Sequence, residues 1–501
     1  MRILLIPEVY RRDDLSANGT VNDAIAWVSA WLDRDPRVHV YWLLPPREAA
    51  DYDAADVHAD RERVTLLEAE PAGAELEPTA MFTEGGYSDA ELQAIEREIY
   101  EPGGFVDVVV DGRRVGRRTL VKWLLERVDQ WAARVRPFDV VANVHDLQIP
   151  RKYRYCSYRN AYQGRMELCE IALADGAWFT APVDAREFRE HAADFLRPDV
   201  LEATLDRSRV IYSPVEFDRF EETYPDEPEW LHVAGSLWEK KRADVVFDVA
   251  ETLRERFGIR TLVTSVEDLP ARYAEREWVE ARPRADRETY ERALARGDLA
   301  ICASEYETLA RTWFEQAASG QVLCLRDEPW VYDCVPDDHP LVGPIEDLES
   351  LVVRAVERWD DAVAANRSLV EHLRTVRSPE RVGARTHEDL RRRIDSKVQR
   401  YSPGDSAADG ERVETDGDGL GSESGCGGAV SRVAAAMHRI DGDRIALDEL
   451  LDRIPGTAGL ERDEPYSAVS TVDAINALRA LGWADAADPG TPTFVRTSRG
   501  F

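Results

Sequence analysis

The chain runs to 501 residues, 44% hydrophobic and 32% charged, with a formal net charge of −32. That is more chain than one hydrophobic core can organise, so two or three domains are expected. No apolar run of about 18 residues or more occurs, which argues against a transmembrane helix. The segment Met1-Arg2-Ile3-Leu4-Leu5-Ile6-Pro7 is too short and too soon polar for a signal peptide, so a cytoplasmic location is expected.

Lysine is scarce: five stand beside many arginines. An acidic, lysine-poor surface suits a cytoplasm at molar salt, where clustered carboxylates stay hydrated and their repulsion is screened. A halophilic source is the expectation, and the acidity argues against nucleic acid as the main partner. The six cysteines, at 156, 169, 302, 324, 334 and 426, form no C-x-x-C pair. They read as free buried thiols in a reducing compartment.

Through residues 1–390 short apolar runs alternate with helical patterns, the signature of α/β units on parallel strands. Ile3 to Ile6 reads as the first strand. Val21, Ile25, Val28 and Leu32 then mark one face of a helix, and Val38 to Leu44 reads as the second strand. Residues 46–105 are acidic and irregular and read as an insertion. Further strands are expected at Phe138–Val144 and Ala177–Ala181. A second series begins with strand-like Leu231-His232-Val233-Ala234, a helix running to about Phe257, and a strand at Arg260–Thr264. It continues with a strand at Leu299–Ala303, a helix at Ala310–Ser319 and a strand at Gln321–Leu325. Two such sets suggest two Rossmann-like domains facing a cleft.

Residues 401–428 hold seven Asp or Glu, one Arg and many Gly and Ser. They bury too little apolar surface to fold and read as an acidic flexible linker. Helical periodicity returns over 429–501. Ser470-x-x-Asp473 is a start signal, Val472, Ile475, Leu478 and Leu481 share a helix face, and Thr493–Arg496 reads as a strand. Together they suggest a small winged-helix-like domain.

The strongest local pattern is Ala303-Ser304-Glu305-Tyr306-Glu307-Thr308-Leu309-Ala310-Arg311-Thr312-Trp313-Phe314-Glu315-Gln316-Ala317-Ala318-Ser319-Gly320. Glu307 falls in the loop leaving a strand's carboxyl end, where ligands bind in open α/β sheets. Glu315 follows eight residues later on the next helix. The start of that helix, with Leu309 and Ala310, offers N–H groups to a phosphate or a sugar oxygen. Gly320 is placed to end the helix in the left-handed conformation.

A second pattern, Gly235-Ser236-Leu237-Trp238-Glu239-Lys240-Lys241-Arg242, follows a strand and opens a helix. Two of the five lysines are adjacent here, with an arginine beside them. Cations at a helix N-terminus oppose its dipole by several tenths of a kcal/mol each, so a bound diphosphate would account for them. In the first half, Ser16-Ala17-Asn18-Gly19-Thr20 lies between the first strand and its helix. Thr20 is a candidate helix cap. Asn143-Val144-His145-Asp146 ends a strand, and His145 could hydrogen-bond a sugar hydroxyl or ease transition-state charge. Arg151, Lys152, Arg154 and Arg159, with Tyr153, Tyr155 and Tyr158, form a basic cluster suited either to an anionic acceptor or to an exposed helix. No metal-ligand spacing is present, and no Asp-x-Asp pair is set to chelate a metal.

These motifs resemble those of the GT-B-fold glycosyltransferases of the family 4 type, here with a haloarchaeal cast and an added C-terminal domain. The E-x7-E pair and its strand and helix are specific. The segment 210–220 is similar to the stretch that leaves the family's N-terminal domain, with Ser213, Pro214 and Glu216 in place of the usual Asn, Gly and Asp. Gly19 is the one residue of its loop that matches the family's glycine-rich loop, which the resemblance sets against the donor phosphates or the acceptor. Departures are Ser236 where Arg is usual, Arg242 where Gly is usual, and Ala310 where Gly is usual. The resemblance implies an acceptor domain at 1–222, a nucleotide-sugar domain at 223–400, and helices near 380–400 that cross back to the first. It implies a retaining hexosyltransferase type of enzyme that needs no metal and no cofactor besides its nucleotide-sugar donor. The acceptor, a glycan, a lipid or a small molecule, is left open. It further implies that Glu315 binds the ribose, Glu307 the transferred sugar, and Lys241 the diphosphate. Gly235, Ser236, Lys240 and Arg242 would lie around that diphosphate, and His145 would face the reacting carbon with Lys241 and Glu307. A non-catalytic nucleotide-sugar sensor acting through the winged-helix-like domain is the alternative, and a sugar-phosphate or glucan synthase of the same fold is another.

Overall fold

Parallel strands organise the chain in two successive sets. The first holds β1 (Arg2–Ile6), β2 (His39–Leu44), β3 (Val64–Glu68), β4 (Val108–Asp111), β5 (Asp139–Val144), β6 (Gly176–Phe179) and β7 (Arg209–Val210). The second holds β8 (Trp230–Ala234), β9 (Arg260–Ser265), β10 (Val279–Pro283), β11 (Leu299–Cys302), β12 (Val322–Arg326) and β13 (Val342–Gly343). The computed structural model describes residues 1–9, 15, 18–47, 52–69, 87–100, 106–112, 120–124, 138–145, 147, 161–235, 237, 239–265, 268–308 and 311–401, and three short strands near the C-terminus.

The first sheet has the order β3-β2-β1-β4-β5-β6-β7 and the second β10-β9-β8-β11-β12-β13, with all neighbours parallel. Ile3 stands between Val40 and Val108 in the first, and Leu299 between Leu231 and Val322 in the second. Strands covered on both faces read as near-continuous apolar runs, and Leu231, Leu299, Ile301, Val322 and Leu323 are all buried. Each sheet grows outward in both directions from its first strand. The reversals fall between β1 and β4 and between β8 and β11. Ligands of doubly wound sheets bind outside the carboxyl ends of the strands at this reversal.

The helices of the first half are α1 (Gly19–Arg34), α2 (Asp89–Tyr100), α3 (Ala161–Leu173), α4 (Pro182–Ala192) and α5 (Pro198–Asp206). Those that follow are α6 (Ala243–Phe257), α7 (Ala271–Ala274), α8 (Arg287–Leu294), α9 (Arg311–Ala318), α10 (Leu348–Glu357), α11 (Trp359–Arg377) and α12 (Pro379–Tyr401). α1 buries Val21, Trp27, Val28, Trp31 and Leu32 against the first sheet. Its N-cap is Asn18. Thr20 does not cap the helix; its hydroxyl donates instead to the carbonyl of Glu8, tying the loop after β1 to the helix start. Residues 46–105 are not an irregular insertion throughout: they supply the edge strand β3 and the amphipathic α2, whose Leu92, Ile95 and Ile99 are buried.

α12 packs back on the first half. Val382, Leu390 and Ile394 join the core of the first sheet, each contributing about 1.5–3 kcal/mol by burial. Trp31 Nε1 donates to Thr386 Oγ1 at 2.9 Å and Trp178 Nε1 to Asp389 Oδ2 at 2.8 Å. Arg393 donates to the carbonyls of Asp175 and Arg207. Near the C-terminus, β14 (Arg444–Ala446), β15 (Ala484–Ala486) and β16 (Thr493–Arg496) form an antiparallel sheet of order β14-β16-β15. The linker 402–428 and the helix expected around 472–481 lie outside the described residues. Among the described residues no helix is long and apolar enough to cross a membrane.

Candidate functional site

The two strongest sequence patterns leave β8 and β11, the pair that flanks the reversal of the second sheet. At the end of β8, Gly235 turns with φ +93°, and the place a Cβ would occupy faces Thr312 Oγ1 at 3.9 Å. The turn therefore lies against the first turn of α9. The chain passes through a short 3-10 turn at Glu239–Lys241 and a left-handed Arg242 before α6 begins. This turn packs on the loop after β11, where Glu305 N donates to Lys240 O at 2.9 Å.

Lys241 Nζ donates to Glu307 Oε1 in a largely buried ion pair and lies 5.1 Å from the centre of the Trp313 ring. Burial pushes the Glu307 carboxyl up, but the charges of Lys241 and then Lys240 outweigh it and hold the group below the ordinary carboxylate range. Glu307 is therefore an anion at neutral pH. Lys240 Nζ sits 5.8 Å from the Tyr306 ring centre. Arg242 turns toward Asp244 at 2.9 Å and Glu305 at 3.8 Å.

Glu315, one turn inside α9, is buried. Its Oε1 accepts from Arg311 Nε at 3.0 Å and from Arg287 Nη1 at 3.4 Å. Burial raises this carboxyl, and Arg311 and then Arg287 bring it below its usual value. Arg311 reaches further: its Nη1 donates to Asp23 Oδ1 of α1 at 3.1 Å. Asp23 also accepts from Ser213 Oγ at 2.6 Å, and its Oδ2 lies 4.0 Å from His145 Nδ1. The Asn143 amide donates to His145 Nε2 at 2.7 Å, which places the imidazole proton on Nδ1, the nitrogen facing Asp23. Asp23 is wholly buried, and burial outweighs Arg311, Ser213 and Arg377, so its carboxyl is pushed up to about 6.

The structure thus brings Gly235, Lys240, Lys241, Arg242 and Glu307 together at the β8 and β11 loops. It links Glu315 to His145 through Arg311 and Asp23. Gly19 starts α1 one turn before Asp23. Ser236, Leu309 and Ala310, and the basic cluster at 151–159, lie outside the described residues. Gly320 ends α9 at φ +90°, in the left-handed region as the sequence suggested. Among the described residues no group of three or more His, Cys, Asp or Glu is placed to hold a metal ion. Cys302 and Cys324 are free and buried, and burial pushes both thiols up to about 12, far from a nucleophile's range.

Arg311 and Asp23 carry no local sequence signal strong enough to single them out. An arginine at a helix's first position opposes the dipole and so hints at a partner. A single Asp between apolar positions of α1 reads as solvated until the structure buries it. The clasp between the halves has other members: the Tyr306 hydroxyl contacts Asp184 at 3.1 Å and Glu187 at 3.0 Å on α4, and Arg186 pairs with Asp333 at 2.9 Å.

Two Rossmann-like sheets with this strand order, joined by a helix that crosses back, define the fold of the GT-B glycosyltransferases. Solved structures of that fold superpose on most of the chain. Sucrose-phosphate synthase from Thermosynechococcus elongatus aligns with TM-score 0.57 at 16% identity, over 79% of this chain and 99% of that one. Anabaena HepE in complex with UDP-glucose aligns with TM-score 0.51 at 12% identity, over 78% and 100%. TarM aligns with TM-score 0.54 at 8% identity, over 78% and 98%. No protein-family model matches the chain, and no curated protein sequence matches it.

Proposed function

We propose that this chain is a glycosyltransferase that moves a sugar, with retention of configuration, from a nucleoside diphosphate donor to a glycan, lipid or small-molecule acceptor. The observation that carries this reading is the meeting of the Lys241–Glu307 pair with the Gly235 turn and the start of α9, at the strand reversal where such sheets bind ligands. The fold likeness to HepE, solved with UDP-glucose, supports the same donor class.

In this reading the nucleotide lies on the second half, residues 223–400, and the acceptor on residues 1–222. Glu315 accepts from the ribose hydroxyls and Glu307 from those of the transferred sugar, since a carboxylate can take two donors. The bond from the anomeric carbon to the diphosphate oxygen breaks, and its electron pair leaves with the diphosphate. Lys241 stabilises the charge that develops there, a task a metal ion performs in other enzymes. The acceptor oxygen forms the new bond on the face the diphosphate vacates and gives its proton to the departing group. His145, on the first half, faces Asp23 at 4.0 Å and so stands next to the Arg311 link between the halves.

The test is release of nucleoside diphosphate from a panel of UDP-, GDP-, ADP- and dTDP-sugars with mixed acceptors, with chelator present. Turnover that falls by about 100-fold or more in Lys241→Ala and Glu315→Ala is expected. Binding without turnover on every acceptor refutes the enzyme reading, and turnover indifferent to both substitutions refutes the assignment of this site. The former outcome favours a sensor instead.

A further inference from the structure

We infer that Arg311 is a ligand of the donor's diphosphate that exchanges partners, held by Asp23 across the two halves until the diphosphate takes it. The inference rests on the donor reading above and adds a residue and a linkage to it. Arg311 is the first residue of α9, and its neighbour Thr312 faces the Gly235 turn. Arg311 thus opens the helix that also carries Trp313, whose ring Lys241 Nζ approaches to 5.1 Å. Its Nε is fixed by Glu315 on its own helix and its Nη1 by Asp23 on α1. Its Nη2 makes no hydrogen bond among the described residues, so one arm of the fork is uncommitted. A planar guanidinium with a free edge suits bidentate contact with phosphate.

The two carboxylates that hold Arg311 are not equal. Glu315 is a settled anion with two guanidinium partners. Asp23 is sealed from water and takes one guanidinium, at 3.1 Å, so it is the partner with the fewer contacts to give up. A diphosphate, with at least two negative charges and several acceptor oxygens, outcompetes it. Lys241 meets the diphosphate as a point charge already paired with Glu307, and Arg242 is turned to Asp244 and Glu305, so neither supplies a guanidinium fork with an open edge. Release of Nη1 also undoes the Arg311–Asp23 link between α9 and α1, so donor binding and the fit of the two halves become coupled.

The test is calorimetric titration of the full chain with UDP, GDP, ADP and dTDP and with the matching nucleosides, for the wild type, Arg311→Gln and Asp23→Asn. For the nucleotide that binds the wild type, Arg311→Gln is expected to weaken diphosphate binding about 10- to 100-fold and the nucleoside, which feels only the lost support of Glu315, several-fold less. Asp23→Asn is expected to tighten diphosphate binding about threefold to tenfold, because the competing partner has gone. Diphosphate affinity of Arg311→Gln within twofold of wild type overturns the inference while leaving the donor reading intact. A loss of affinity in Asp23→Asn equal to that in Arg311→Gln overturns partner exchange and makes the pair a fixed scaffold. If Arg311→Gln does not fold, Arg311→Lys carries the same test: a point charge lacks the fork, so undiminished affinity overturns the inference. A wild type that binds none of the four diphosphates overturns the donor reading and this inference with it.

Discussion

Replacing Asp23 with Asn should stabilise the protein at neutral pH and do much less near pH 4.5. The carboxyl is wholly buried, and its pKa is pushed from 3.8 to about 6 by loss of water, against the pull of Arg311, Ser213 and Arg377. His145 also faces it, at 4.0 Å. A carboxyl whose pKa is higher in the folded than in the unfolded chain binds its proton more tightly when folded. Its contribution is therefore most favourable when protonated and is lost as pH rises from about 4 to about 6. Roughly two pK units at 1.36 kcal/mol each give a cost of about 3 kcal/mol above pH 7 and about 1 kcal/mol at pH 4.5. Asparagine is neutral at every pH and can still accept from Ser213 and Arg311, so it removes that cost. Denaturant unfolding of wild type and variant at both pH values and one salt concentration, followed by tryptophan fluorescence, measures the difference. An Asp23→Asn variant destabilised more at pH 7.5 than at pH 4.5 would show the opposite, that the ionised bridge is a net source of stability.

Gly320→Ala should cost at least about 2 kcal/mol, since the residue holds φ +90° and a Cβ would lie 2.1 Å from the Thr223 carbonyl oxygen; a variant as stable as wild type would sink this. Lys241→Met should lower transfer by about 100-fold or more and also destabilise, because Glu307 is left buried without its cation. Adding Glu307→Gln should restore stability but not transfer, and a double mutant no more stable than the single would count against the pairing. With a net charge of −32, raising potassium chloride from about 0.1 M to 2 M, which cuts the screening length from about 10 Å to under 3 Å, should raise the unfolding midpoint. An unchanged or falling midpoint would dismiss the halophilic reading of the surface.

What was legible in the sequence follows from what the strands bury. β1, β2, β5, β8, β9, β11 and β12 lie mostly inside their sheets and read as apolar runs. The strands that leave no clear sequence pattern are chiefly edges. β3 sits in an acidic stretch, β13 is two residues long, and β10, Val-Glu-Ala-Arg-Pro, is only partly buried and ends in proline. An edge strand is covered on one side and tolerates charge and proline, so it leaves little pattern. β4 is different: Val108-Val109-Val110 is central and buried, a run that reads as a strand alone but stands between stretches with no periodicity to frame it.

The site divides along the same line. Glu307, Glu315 and Lys241 could be singled out because the first two share a short segment with a strand and a helix in register, and the third stands among scarce lysines. Their neighbours Arg311 and Asp23 are 288 residues apart, and nothing local in either sequence announces the other. Only the folded chain brings Asp23 of α1 to Arg311 of α9. What results is an ion pair whose acidic half is poorly stabilised in its charged form. A pair built for stability alone would favour well-solvated or fully compensated charge. A buried acid poorly stabilised in its charged form, beside a guanidinium that opens the helix packed against the Gly235 turn, has the character of a site whose anionic partner is supplied from outside.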